Sequence, residues 1–509
     1  MAGRTRFFEL RGTRLKIAMM LCVIAPSFVL FGYNNGSTGG IATLQSFVHQ
    51  FPSIDTVNTK GAQKAQNARV KGVVTGCYDL GAVVGSLLCI AYSDRIGRLR
   101  TTFLGLILSI IGLALESSAF NLAQFIVGRL VVGAAIGTIS SAIPVWQSEC
   151  SATSHRGAFV ILEGLCISSG ITLSEWVAFG LSFPSSSAVQ WRVPLIFPVI
   201  LPIFVMPFLF LMPESPRWLA KNGRMEESRQ VLAALEDVDE DSATVQRQMA
   251  EIERSLALAT GKLKELTKNG ERMLHRTLLA ACGQMFQQMC GISALVFYTS
   301  SVFEDLGFAG VKSRVLGASL TTFQTCCAII PVFLIDRFGR RNLFMITGGG
   351  LAVCTAVIAG TGGAKHGSAP TAAVVFVFLY DFFYPIGFLG QTFLYATELA
   401  PLSHRVPITA IANATQWLCQ FVVAQVTPPG TTNLGSHYWI IYAVLNASFV
   451  PIVYFLFPET NGRSLEEMDT IFRQSKSIFD VVRVARELPR QDPEATSDMS
   501  SLEVLNSNV

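Results

Sequence analysis

The sequence predicts an all-α integral membrane protein with twelve transmembrane helices in two related sets of six. Three observations carry that expectation. Half of the 509 residues are hydrophobic and only 15% are charged, against about 25% charged in soluble chains, and mean hydropathy is +0.45. Mostly apolar runs of about eighteen residues or more, each able to span a bilayer as a helix, recur about a dozen times. Charged landmarks also return at nearly the same interval: Asp94 to Asp336 is 242 residues, Glu149 to Glu398 and Arg156 to Arg405 are each 249, and Glu214 to Glu459 is 245. Landmarks in one order at one offset mark two parallel copies, the arrangement from which one large transporter class builds a central path.

The elements follow in order. Residues 1–16 carry Arg4, Arg6, Arg11, Arg14 and Lys16 against Glu9, which predicts a cytoplasmic N-terminus. A cleaved signal peptide has a short apolar core and a small-residue cleavage site. The run from Ile17 to Tyr33 is long and continues into Asn34 and Asn35, so it reads as an uncleaved first span. The other spans are expected near 70–92, 102–119, 121–148, 157–180, 191–212, 274–302, 314–335, 342–362, 372–398, 406–428 and 437–457. Six lie in 17–212 and six in 274–457. Between them, 213–273 is a cytoplasmic helical linker with amphipathic stretches at Glu226–Glu236 and Val245–Leu258. Residues 458–509 form a polar cytoplasmic tail, disordered beyond about Arg490.

Two short turns, Ser93–Arg100 and Asp336–Arg341, each join neighbouring spans through a glycine. The glycine lets the chain reverse tightly, and the charges sit at the membrane surface. Three arginines on each turn place them on the N-terminal side, while the connections near 118–124 and 428–437 have no Lys or Arg. One segment, 52–71 with Lys60, Lys64, Arg69 and Lys71, argues the other way and is outvoted. The eleven cysteines fall nearly all inside apolar runs, so no disulfide framework is indicated. A net charge of +4 implies no nucleic-acid partner. No metal-ligand spacing, nucleotide loop or nucleophile motif points to an enzyme, a metal or a cofactor.

Polar side chains on a spanning helix are costly in lipid and so face the protein interior or a wet cavity. Gln284, Gln287, Gln288 and Gly291 share one helical face in span seven, and Asn413, Gln416, Trp417 and Gln420 repeat the pattern in span eleven. Span eight offers Thr321, Gln324 and Thr325; span ten offers Tyr384, Gln391, Thr392, Phe393 and Tyr395. Amides hold donors and acceptors on one rigid fork, which suits vicinal hydroxyls, and an aromatic ring gives a sugar's C–H face a surface. Any single amide can instead serve as helix glue; two aligned stripes in one half favour a cavity.

The intramembrane acids are Asp79, Glu116, Glu163, Glu175 and Asp381, each able in principle to load and release a proton. Glu163, near the start of span five, is the leading candidate. A further constellation comprises Asp94, Arg98, Arg129, Glu149, Arg156, Glu214 and Arg217, with Asp336, Arg340, Glu398, Arg405 and Glu459. These residues are expected to pair at the cytoplasmic surface as a latch that closes one conformation and breaks in the other. The competing reading is a static network worth little per pair; its duplication across both halves favours the latch.

The motifs Gly128-Arg129 with Gly133 and Gly137, Pro213-Glu-Ser-Pro-Arg-Trp-Leu219, Gln287-Gln288 with Gly291, Asp336-Arg-Phe-Gly-Arg-Arg341 and Pro458-Glu-Thr-Asn-Gly-Arg463 resemble those of the sugar porter family of the major facilitator superfamily. The resemblance covers about 17–470. Phe31-Gly-Tyr-Asn-Asn35 and Tyr78-Asp79 look like its fungal branch. It implies the major facilitator fold, two six-helix bundles related by a pseudo-two-fold axis, and movement of a sugar or polyol across the plasma membrane by alternating access. Gln287 and Gln288 match the family's sugar-binding glutamines and Tyr298 an aromatic gate residue. The remaining substrate candidates are Asn34, Ser293, Gln324, Phe393, Gln416 and Trp417. The chain departs from the family where Ser293 replaces Asn, Phe393 replaces Trp, Gln416 replaces Asn and Gly164 replaces Gln. Proton-coupled members carry Asp at the position of Asn34, so facilitated diffusion is expected. The alternatives are proton symport through Glu163, export of a specialised metabolite, and a non-transporting sugar sensor.

Overall fold

A computed structural model describes residues 10–150, 156–183, 187–258, 272–308, 310–362, 369–401, 404–463 and 465–489. The disorder expected beyond Arg490 lies outside these residues. Twelve spans are seen: α1 (Gly12–Gly36), α2 (Gly61–Ile96), α3 (Arg98–Ser117), α4 (Leu122–Cys150), α5 (Arg156–Gly180), α6 (Val189–Leu209), α7 (Met273–Met289 continued by Ile292–Asp305), α8 (Val311–Ile335), α9 (Arg340–Thr361), α10 (Ala369–Leu399), α11 (Arg405–Leu434) and α12 (Trp439–Leu456). Nine stretches among the described residues are long and apolar enough to cross a membrane, and one of them, Pro407–Leu456, holds both α11 and α12. The other two spans are α5 and the broken α7.

α2 starts nine residues earlier than the sequence suggested. Its 36 residues rise about 54 Å, well beyond a hydrocarbon core of about 30 Å. Its first turns therefore stand outside the bilayer, which accommodates the basic residues that ran against the charge pattern. α3, α6, α9 and α12 turn Leu104, Ile111, Phe204, Val353 and Val444 outward, as a lipid-facing surface requires. The two halves meet along α2–α11 and α5–α8.

The interval repeat in the sequence reflects one joint built twice. Gly97 and Gly339 each adopt positive φ, +99° and +79°, and reverse the chain between spans. The helix that follows begins with unpaired backbone N–H groups, which a carboxylate satisfies well at the positive end of the helix dipole. Glu214 accepts from the N–H groups of Arg98 and Leu99, both at 3.2 Å. Glu459 accepts from those of Arg340 and Arg341 at 2.9 and 3.1 Å. A Cβ at either glycine would lie 2.5 Å from a glutamate oxygen. Gly339→Ala is therefore expected to cost about 1–3 kcal/mol through strain alone, read as a lower Tm of the detergent-purified protein. An unchanged Tm would contradict this account of the joint.

The face of the molecule that carries 213–258, the linker face, also carries these joints. Linker helices Pro216–Lys221, Met225–Glu236 and Ala243–Leu258 are tied to the first half. Trp218 Nε1 donates to the Asp94 carbonyl at 2.9 Å, and Lys16 pairs with Glu236 at 3.3 Å. The tail read as polar is folded through Glu487. Helices Leu465–Gln474 and Asp480–Glu487 bury Met468, Ile471, Phe472 and Val481, and Asp469 pairs with Arg276 of α7 at 2.5 Å.

Candidate functional site

A cavity lies between the halves, walled by α1, α5, α7, α8, α10 and α11. The room inside it is about 40 Å³, far below the roughly 300–1,000 Å³ typical of small-molecule sites, so the closed halves must part for it to take a ligand. Its polar wall is Asn35, Gln287, Gln288, Ser293, Gln324, Tyr384, Gln416 and Gln420. Phe31, Ile167, Ile171, Phe297, Leu389 and Phe393 supply apolar surface. Among the described residues, no Asp, Glu, Lys, Arg or His lines it.

Two helix irregularities shape this wall. α7 breaks at Gly291, where φ is +104° and a Cβ would meet the Tyr442 ring at 2.9 Å. The carbonyl of Cys290, freed at the break, accepts from Tyr380 Oη and Asn446 Nδ2, each at 3.1 Å. α10 loosens into a wide turn at Pro385–Leu389, where proline withholds its N–H. Gln287 Nε2 donates to the Leu389 carbonyl at 3.1 Å, which leaves Gln287 Oε1 without a protein partner. Gln416 Oε1 also has none. Ser293 Oγ donates to Gln288 Oε1 at 2.6 Å, and Gln420 Nε2 to Asn35 Oδ1 at 3.2 Å. Buried acceptors of this kind are costly unless a donor reaches them, and hydroxyl groups are suitable donors.

Of the substrate candidates, Gln287, Gln288, Ser293, Gln324, Phe393 and Gln416 line the cavity. Asn34, Tyr298 and Trp417 do not. Asn34 donates to the Leu30 carbonyl of its own helix at 2.8 Å, and the next residue, Asn35, faces the cavity instead. The helical period held that signal, because Phe31 and Asn35 are four apart and share a face. Tyr298 Oη donates to the Ala424 carbonyl at 2.7 Å, with Lys71 Nζ 5.6 Å over its ring. Trp417 is fully buried behind the wall, its ring 5.1 Å from Phe31 and 5.8 Å from Tyr78. Gln284, in the same stripe as Gln287, is buried off the wall.

Contacts between the halves close the cavity on both sides. Toward the linker face, Asn413 Nδ2 of α11 donates to Ser86 and Ser141 at 3.2 and 2.7 Å. A Cβ at Gly164 of α5 would meet Gly390 Cα of α10 at 3.3 Å. Toward the far face, a Cβ at Gly39 would lie 2.6 Å from the Val296 carbonyl of α7. Glu163 is buried beside the Gly164–Gly390 contact, with Oε1 unpartnered, but does not line the cavity.

The charged residues form two matching clusters at the linker face. Arg98 pairs with Asp94 at 2.8 Å and Glu149 at 3.0 Å. Arg217 lies within the electrostatic reach of Glu149 and Asp94. Burial pushes the Glu214 carboxyl above its usual range, and the N–H groups of Ser215, Leu99 and Arg98 oppose that shift. In the second half Arg340 pairs with Glu398 at 3.0 Å and donates to Asn461 at 2.6 Å. Arg405 is buried near the start of α11. The side chains of Arg156 and Asp336 lie outside the described residues. Each of these ion pairs joins helices of one half. Arg129 is a correction: it meets Glu116 at 3.3 Å in the membrane interior, with its guanidinium 5.0 Å over the Tyr78 ring. The reason is its position two turns into α4, near the end away from Glu149.

Residues 19–472 match the family model for "Sugar (and other) transporter". The chain is 33% identical over 508 residues to a protein of Saccharomyces cerevisiae named sugar transporter STL1, covering 97% of this chain and 88% of that one. It is 34% identical over 469 residues to the MFS-type transporter oryC of Aspergillus oryzae, covering 89% and 85%. Among solved structures it is similar to the proton:xylose symporter XylE bound to 6-bromo-6-deoxy-D-glucose. That match has a TM-score of 0.75 at 21% identity and covers 90% of this chain and 99% of that one.

Proposed function

The chain belongs to the sugar porter family of the major facilitator superfamily, and from that premise we propose that it carries a neutral sugar or polyol across the plasma membrane. The single observation that carries this reading is the uncharged, amide-lined cavity to which both halves contribute. Amide oxygens without protein partners accept from substrate hydroxyls, while Phe31 and Phe393 offer faces to C–H groups. Residues 17–212 and 274–457 are the moving halves. They rock about the cavity so that it opens to one face at a time. The linker face, with its arginines and both termini, is cytoplasmic. Asn34 cannot take up a proton, and Glu163 does not line the cavity.

The test is uptake of labelled D-glucose, D-xylose, glycerol and D-glucuronate into transporter-deficient cells. Saturable uptake of a neutral compound with exclusion of glucuronate is expected. Binding of a sugar without uptake of any compound would favour the sensor reading, and preferential glucuronate transport would contradict the neutral cavity.

A further inference from the structure

We propose that Asp79 on α2 is a proton-binding site tied to the cavity through Gln420, so that this chain carries its substrate together with a proton although Asn34 cannot titrate. The proposal rests on the transport reading above and adds its energy source. Asp79 is fully buried, and neither carboxylate oxygen has a hydrogen-bond partner of ordinary geometry. It shares its surroundings with one buried cation and one further buried acid. Arg129 on α4 acts electrostatically on Asp79 and meets Glu116 of α3 at 3.3 Å, leaving its Nε and Nη2 without partners.

Charge balance then decides the protonation. Two carboxyls face one guanidinium, so the cluster is neutral only when it holds one proton, and a surplus buried charge is strongly disfavoured. Glu116 already holds the arginine, so the proton belongs on Asp79. The other titratable groups around it are Cys77 and Tyr78 on α2 and Tyr298 on α7. α11 presents Gln420 and Trp417, which do not titrate.

The position links this proton to the substrate. Gln420 faces Asp79 from the other half of the protein and donates to Asn35 in the cavity wall at 3.2 Å. A hydroxylated substrate that engages Gln420 or Asn35 therefore changes what Asp79 meets. Toward the far face from Asp79, α2 and α11 are in close contact, with Gly76 against the Phe421 ring and Gly72 against the Gln425 carbonyl. Parting of that contact exposes Asp79 to water on the far side. A hydronium ion there gives its proton to the carboxylate and leaves as water. After the halves rock, the carboxylic acid returns the proton to water at the linker face, and no other bond changes.

The experiment uses the full-length protein in proteoliposomes with labelled D-xylose, D-glucose and glycerol. Exchange at equal pH requires only transport, whereas accumulation under an imposed pH difference requires coupling. With one proton per substrate, a one-unit difference supports about tenfold accumulation. The wild type is expected to approach that ratio. Asp79→Asn should still exchange, several-fold more slowly and without the wild type's pH dependence, but should accumulate nothing above the external concentration. Asp79→Glu should restore accumulation. A wild type that exchanges without accumulating, or Asp79→Asn that accumulates as the wild type does, overturns the proton site and leaves the transport reading standing. Absence of exchange with all three compounds overturns the transport reading and this proposal with it.

Discussion

Gln287→Ala is expected to weaken substrate affinity about tenfold or more, while Gln284→Ala stays within about twofold. Both glutamines sit on one stripe of α7 and both are buried. Only Gln287 stands in the cavity wall, with Oε1 free of protein partners and Nε2 bonded to the Leu389 carbonyl. Truncation removes an acceptor for substrate and orphans the Leu389 carbonyl on the wide turn of α10. Each lost buried partner costs about 1–3 kcal/mol, and about 1.4 kcal/mol is tenfold in affinity. The measurement is the Kd of the purified protein for whichever labelled sugar or polyol it transports. Equal and small effects at both positions would mean that the stripe only packs helices.

Glu398→Arg is expected to reduce transport by more than about tenfold with substrate affinity nearly intact. Glu398 Oε1 accepts from Arg340 Nη2 at 3.0 Å and Oε2 from Thr460 Oγ1 at 2.6 Å. Arg340 also bonds the Ile335 carbonyl and Asn461, so it cannot easily turn away from a second guanidinium. Arg340 is buried and Glu398 partly so; breaking a fully buried pair costs about 3–5 kcal/mol, an upper bound here, against a total stability of about 5–15 kcal/mol. No residue of the cluster lines the cavity, so its loss shifts the balance among conformations rather than contacts to substrate. Glu398→Gln, which keeps a hydrogen-bond acceptor, should lose less. Vmax and KM for exchange separate the effects. A raised KM with unchanged Vmax would contradict the assignment.

Some of this was legible in the sequence because its cause is local or periodic. Apolar runs set the twelve spans, and the repeat interval marks the joints of Gly97 with Glu214 and Gly339 with Glu459, since both halves must cap the same helix start. The stripes on spans seven and eleven pointed to Gln287, Gln288 and Gln416 because polar faces in lipid must turn inward. What stayed hidden depends on rotation and depth. One residue of helix separates Asn34 from Asn35, about 100° around the axis; the motif match named Asn34, whereas Asn35 lines the cavity. Arg129 carries a charge like its expected partners, but its depth along α4 gives it Glu116. The fold of 465–487 depends on burying Ile471 and Phe472 against other segments, which a polar composition conceals.

The most direct test compares the two adjacent asparagines of α1 by equilibrium binding of a transported sugar to purified protein. Asn35 reaches the cavity and bonds Gln420, whereas Asn34 donates to the Leu30 carbonyl of its own helix. If both halves form the substrate site as described, Asn35→Ala raises Kd about tenfold and Asn34→Ala leaves it within about twofold. A large loss at Asn34 with none at Asn35 would contradict the account.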